Sequence, residues 1–183
     1  MATTGSVEIE LLPPAAADDA GLTAAVTELI NDVYAVAEEG LWRPGSARTT
    51  IGRVADLVRT GEMAVARMRA KLVGCVRVQM LGQGVGEFGL LAVVPGLRGT
   101  GVGRDLVRFA ENSARARECD TMQLEVLVPR DWSHPSKEFL IGWYTRIGYQ
   151  RKGVGAIEES YPELAPLLAT PCDYVIYQKR LGS

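Results

Sequence analysis

Residues 90–104 read Leu-Leu-Ala-Val-Val-Pro-Gly-Leu-Arg-Gly-Thr-Gly-Val-Gly-Arg. An apolar run without alternation is the pattern of a strand covered on both faces, and here it passes through a proline into a glycine-rich turn that opens a helix. A joint of this kind requires a sheet with helices packed on its faces. The turn also aims several backbone N–H groups at one point, and the positive end of the helix dipole adds to them. That point suits an anion, most simply a phosphate.

The rest of the chain supplies the elements around this joint. Met1 to Ser6 read as a loose tail, and Val7 to Leu12 as a first strand stopped by Pro13-Pro14. A helix capped by Asp18 or Asp19 carries Ala25, Leu29, Val33 and Val36 at helical spacing and ends at Gly40. Leu41 to Thr49 read as a loop. Thr50 caps a second helix through Val54, Leu57 and Val58, closed by Gly61. Period-two patterning from Met63 to Met80, with a turn near Ala70-Lys71, predicts a hairpin. Gly82 to Gly86 turn the chain into a strand from Glu87 to Val94.

The helix after the glycine turn, Val102 to about Glu118, sets Val102, Leu106, Ala110 and Ala114 on one stripe, which leaves its arginines and Glu111 toward water. A strand from Met122 to Val128, a loop from Pro129 to Pro135 and a helix from Ser136 to Arg146 follow. Tyr149 to Gly155 form a strand, Ala156 to Cys172 an irregular excursion, and Asp173 to Arg180 a last strand. The order β-α-α-β-β-β-α-β-α-β-β describes one α/β (α+β) domain over residues 1–183, large enough to bury roughly two-thirds of its unfolded surface.

Composition narrows the function. With 22 acidic and 20 basic residues, a formal charge of −2 and no lysine-rich run, no footprint for nucleic acid or an anionic membrane is expected. Cys75, Cys119 and Cys172 are widely spaced and odd in number, the pattern of reduced thiols in a cytoplasmic protein. No apolar run reaches ~18 residues and no charged-then-apolar leader is present. One histidine in the chain makes a metal-dependent mechanism unexpected.

Spacing separates the phosphate-binding schemes open to the glycine turn. A G-x-G-x-x-G fingerprint fails, because the sixth position is Arg104 counted from Gly99 and Leu106 counted from Gly101. A P-loop fails for want of Gly-Lys-Ser/Thr. What remains is Arg98-x-x-Gly101-x-Gly103 after Leu-Ala-Val and a proline, where Gly101 and Gly103 leave no side chain between backbone and phosphate. This resembles the acyl-CoA signature of the GNAT superfamily of N-acyltransferases. A second segment, Trp143-Tyr144-Thr145-Arg146-Ile147-Gly148-Tyr149, resembles that family's helix ending in aromatic-Tyr-x-Lys/Arg-aliphatic-Gly-aromatic, one helix, one strand and one loop downstream.

The resemblance implies a mixed, mostly antiparallel sheet of about six or seven strands with about four helices and a splayed central parallel pair. It implies acetyl-CoA as co-substrate, held at its phosphates by Arg98, Gly99, Thr100, Gly101, Val102, Gly103 and Arg104, with the pantetheine amides along Leu91, Ala92 and Val93. It makes Tyr144 a general acid: a departing thiolate of reference pKa ~8.5 can take a proton from a tyrosine of reference pKa ~10. The family often has asparagine seven residues before the tyrosine, whereas this chain has Lys137 there, which either reaches a phosphate or faces solvent.

An amine acceptor of pKa ~10 must also lose a proton, at a cost of about 4 kcal/mol at pH 7. Glu87 occupies the position of the glutamate some members use and is the first candidate base. Glu125, mid-strand in an apolar segment, is the second, and His134, in a loop where a lone histidine is more often at the surface, the third; a water chain is the remaining route. The resemblance assigns Glu38, Glu39, Trp42 and Arg43 to the rim of the acceptor pocket. Two function classes stand at this point: an N-acetyltransferase acting on a small-molecule or peptide amine, or a non-catalytic acyl-CoA-binding module of the same fold. A homodimer through the last strands is compatible with either.

Overall fold

The computed structural model describes residues 6–182. The expected tail, apart from Ser6, lies outside them. Seven strands form one sheet: β1 (Val7–Leu11), β2 (Met63–Met68), β3 (Lys71–Gly82), β4 (Val85–Val93), β5 (Thr121–Pro129), β6 (Gln150–Ala156) and β7 (Cys172–Arg180). Their order across the sheet is β1-β2-β3-β4-β5-β7-β6. Only β4 and β5 run parallel. The helices are α1 (Ala20–Ala37), α2 (Ile51–Arg59), α3 (Val102–Arg115), α4 (Pro135–Arg146) and the short α5 (Ile157–Ser160).

The helix starts follow local chemistry. Asp19 accepts from the Leu22 amide at 2.9 Å and Thr50 from the Arg53 amide at 3.2 Å, so each satisfies a backbone donor that the first turn leaves unpaired. The hairpin of β2 and β3 turns through Arg69 and Ala70, both at positive φ. One apolar core lies between the sheet and α3 with α4, built on Leu106, Val107, Ala110, Phe88, Met122 and Tyr149. A second lies under α1 and α2, around Ile30, Val54, Leu57 and Val65. Thus β4 is covered on both faces, as its lack of alternation predicts.

Contact between α3 and the sheet is close enough to exclude side chains. A Cβ on Gly86 would stand 2.9 Å from the Ala114 Cβ, and one on Gly74 2.9 Å from a Leu106 methyl and 3.0 Å from the Ala92 carbonyl oxygen. The α3 stripe is buried as expected, but Glu111 is not in water. It is buried, accepts from the Tyr149 hydroxyl at 2.9 Å and pairs with Lys179 Nζ at 2.9 Å. Partners on β7 and next to β6 stabilise a carboxylate that its own helix cannot.

Candidate active site

Parallel pairing of β4 with β5 extends only from Val85↔Thr121 to Glu87↔Gln123. Beyond that point β4 pairs with β3 alone and β5 with β7 alone. The cause lies in β4: Cys75 opposes Ala92 and Arg77 opposes Gly89, so three steps on β4 match two on β3. The extra residue is a bulge, and Leu90 within it sits at φ +48, a left-handed conformation that costs a branched side chain about 1–2 kcal/mol. Bulges bend the strand that carries them, and here the bend opens a gap between the central strands. Backbone polar groups of Leu91, Ala92 and Val93 on the β5 side face no strand.

The glycine turn stands at the end of the gap. Gly99 has φ +80 and Gly101, the residue before α3, φ +99. No side chain caps α3. Among the described residues the amides of Gly99, Gly101, Val102, Gly103 and Arg104 have no backbone acceptor, the first helical bond being Asp105 N–H to the Gly101 carbonyl at 3.0 Å. The Arg98 and Arg104 side chains are exposed beside them. Thr100 differs, since its amide and hydroxyl both donate to the Leu97 carbonyl, at 3.3 and 2.6 Å. A row of unpartnered amides at a helix N-terminus fits a pyrophosphate.

A cavity of about 450 Å³ opens where the strands part, and Tyr144, Glu87 and Glu125 all line it. Tyr144 on α4 is buried among Phe88, Trp143 and Tyr149, with ring centroids 6.0, 4.9 and 6.1 Å away. Burial alone pushes its hydroxyl above the ordinary tyrosine value, and no protein acceptor takes its proton among the described residues.

Glu87 is held by neutral donors. The Gln79 amide donates to one carboxylate oxygen at 2.7 Å and the Gln123 amide to the other at 2.8 Å. Each glutamine is oriented in turn: Arg77 donates to the Gln79 Oε1 at 2.6 Å, and Gln178 to the Gln123 Oε1 at 2.8 Å. Gln79, Glu87, Gln123 and Gln178 are direct cross-strand partners, so register aligns one polar row across β3, β4, β5 and β7. Glu125 lies two residues past Gln123 on the same face and accepts from the Tyr161 hydroxyl at 2.7 Å. Burial raises its carboxyl above the usual range, the Tyr161 hydrogen bond opposes this, and the Glu87 charge adds to it.

His134 and Lys137 depart from expectation. His134 is buried: its Nδ1 accepts from the Ser136 amide at 3.2 Å to cap α4, and its Nε2 lies 3.0 Å from the Glu39 carbonyl oxygen. That assigns the proton to Nε2 and leaves neither nitrogen for a substrate. Lys137 reaches neither phosphate nor solvent. Its Nζ pairs at 2.7 Å with Glu38 inside the protein, and the Trp42 indole donates to the second Glu38 oxygen at 2.6 Å. Two opposite charges 99 positions apart close the site between α1 and α4.

The expected acceptor rim, Glu38, Glu39, Trp42 and Arg43, surrounds a second cavity of about 460 Å³ that shares Tyr34, Glu38 and Arg48 with the first. Arg43 N–H to Leu167 O at 2.8 Å and Ala169 N–H to Leu41 O at 2.9 Å join the loop after α1 to the segment before β7. Sequence reasoning missed Gln79, Gln123, Tyr161, Tyr34 and Arg48. The glutamines could be found only with the register in hand, whereas Arg48 carried one signal: it directly precedes the Thr49-Thr50 cap whose helix packs on the sheet.

Comparison of the sequence with curated proteins returned no match. The Acetyltransferase (GNAT) family profile matches residues 28–149. Among solved structures, the chain is similar to the PaiA N-acetyltransferase of Thermoplasma acidophilum in complex with coenzyme A, at TM-score 0.68 and 12% identity over 96% of this chain and 99% of that one. It is similar to a ribosomal-protein-alanine N-acetyltransferase of Brucella melitensis, at TM-score 0.66 and 16% identity, covering 94% and 99%. It also resembles an IAA acetyltransferase of Bacillus cereus, at TM-score 0.60 and 17% identity, covering 96% and 99%. Identities this low carry the fold, and the family profile carries the rest: the chain belongs to the GNAT family of acetyltransferases.

Proposed function

We propose that the protein is an acetyl-CoA-dependent N-acetyltransferase in which an amine attacks the thioester directly, with Tyr144 as general acid and Glu87 as general base. The observation that carries this reading is the Tyr144 hydroxyl, buried at the parting of β4 and β5 in the same cavity as Glu87 and without a protein acceptor for its proton. Acetyl-CoA supplies the thioester and a thiolate leaving group. The unpartnered amides of Gly99, Gly101, Val102, Gly103 and Arg104 suit its pyrophosphate, the β5 side of Leu91–Val93 its pantetheine amides. Tyr144 holds its proton at neutral pH, as a tyrosine of ordinary value also does, so the proton is present when a thiolate forms beside it; burial makes the hydroxyl a weaker acid than a free tyrosine. Glu87, oriented by two amides, accepts the proton that the attacking amine must lose.

The reading is tested by coenzyme A release from acetyl-CoA in the presence of amines, alongside acetyl-CoA binding measured by calorimetry. Saturable binding with amine-dependent release is expected. Binding without turnover on any amine contradicts the catalytic reading, and absence of binding contradicts the donor assignment as well.

A further inference from the structure

The cavity beside Tyr144 is also lined by an arginine, Arg48, whose Nε has no acceptor among the described residues. Arg48 lines both cavities. Its guanidinium carbon lies 5.2 Å from the Tyr34 ring centroid and 5.9 Å from that of Trp42, which fixes its plane. Its one ion-pair contact is Nε to Glu38 at 3.8 Å, beyond hydrogen-bond reach, and that Nε is buried without an acceptor. Beside it, the Thr49 hydroxyl is also buried without a partner and lines the main cavity. Thr49 is not loosely placed, for Asn31 holds its backbone from both sides, accepting from the amide at 3.0 Å and donating to the carbonyl at 3.1 Å.

The charge count points the same way. Glu38 is already engaged by Lys137 and Trp42, so Arg48 and Lys137 set two cations against one carboxylate. Arg48 is only partly buried, and a partly desolvated excess of positive charge favours an anion beside it. Glu87 and Glu125 also line this cavity, as does Tyr161, which is hydrogen-bonded to Glu125 and packs at a tilt with its ring centroid 4.9 Å from that of Tyr174. The same cavity therefore carries carboxylates that could take an amine's proton and, at Arg48, a guanidinium that could take an anion. The glycine turn is not part of this lining, so the anion that Arg48 lacks is distinct from the pyrophosphate.

Resting on the acetyltransferase reading, we infer that the acceptor is a small amine carrying a carboxylate, with the amine at Glu87 and the carboxylate on the Arg48 guanidinium and the Thr49 hydroxyl. An arginine fork matches the two oxygens of a carboxylate, and a cavity of about 450 Å³ has the size of small-molecule sites. A polyamine would leave Arg48 unanswered and add positive charge beside it.

The test uses the full chain with acetyl-CoA and measures coenzyme A release with the standard α-amino acids, ω-amino acids of about two to six carbons, the carboxamide of each, phosphonate analogues, and unbranched diamines. At least one carboxylate-bearing amine should exceed its own carboxamide about tenfold or more in kcat/KM, and the phosphonates distinguish a carboxylate fork from general anion attraction. Arg48→Met should raise KM for that carboxylate about tenfold or more and raise KM for its carboxamide by a clearly smaller factor. Thr49→Val, nearly isosteric, should raise the same KM a few-fold, which keeps the inference open to test if the arginine variant does not fold. If acetyl-CoA binds and no carboxylate outperforms its carboxamide, if phosphonates or diamines are the better acceptors, or if nothing is acetylated, the inference is overturned. Failure to bind acetyl-CoA removes the acetyltransferase reading itself, a separate and distinguishable result.

Discussion

Glu38 is a buried carboxylate set between two cations, Lys137 and Arg48. Burial pushes its carboxyl up, but Lys137 and Arg48, with hydrogen bonds from Lys137 and Trp42, outweigh burial and hold it below the ordinary value of 4.5. The folded chain thus releases this proton more readily than the unfolded one. The stability gained is present above about pH 4.5 and is lost as pH falls through the depressed folded value. Glu38→Gln should therefore lower Tm most near neutrality, with the gap to the parent protein closing in acid; a gap constant with pH would contradict the pairing. Lys137→Met, which strands the carboxylate, should cost about 3 kcal/mol in denaturant melts. At this scale Tyr144, Gly101 and Glu87 were singled out through patterns that resemble the family's; the first and last line one cavity, and Gly101 has φ +99. Glu111, His134 and Lys137 were not legible, because their partners Lys179, the Glu39 carbonyl and Glu38 lie 68, 95 and 99 positions away.

The elements at the site divide into those that hold α3 against the sheet and those that keep its start open. Gly86 belongs to the first kind. Its Cβ would press on Ala114 at 2.9 Å, so Gly86→Ala should destabilise the fold by about 1–3 kcal/mol, read from denaturant midpoints. Gly103 belongs to the second kind, for a Cβ there would meet Trp143 and Val93 only at 3.7 and 3.8 Å. Gly103→Ala should fold with near-parent stability and weaken acetyl-CoA binding in calorimetry, and unchanged affinity would remove the phosphate role of the turn. The caps Asp19 and Thr50 announced their helices in sequence. The bulge at Leu90 did not, since a leucine at φ +48 carries none of the usual glycine signal. The Gln79–Glu87–Gln123–Gln178 row was equally hidden, because a one-residue change of register would scatter it to both faces.

Among the described residues three apolar clusters pack on one sheet, and the two larger ones share its strands, so neither of those can melt without exposing the other's strands. We propose that the chain unfolds as a single cooperative domain. Calorimetry should show one transition with equal van't Hoff and calorimetric enthalpies, whereas two resolved transitions would contradict a single domain. The architecture was legible from the order of elements and from the family resemblance of the two motifs, which implied the parallel pair of β4 and β5. The insertion of β7 between β5 and β6 was not, because strand order depends on which edges remain open after collapse rather than on local pattern.

In the proposed reaction Tyr144 is the proton donor, in a cavity opened by the parted strands. Acetyl-CoA affinity and amine-dependent turnover should be measured side by side for the parent protein and Tyr144→Phe. Unchanged affinity with kcat reduced about a hundredfold or more is predicted. Full turnover in the variant, with acetyl-CoA bound as tightly as before, would show that the thiolate leaves unassisted and would contradict the role given to Tyr144.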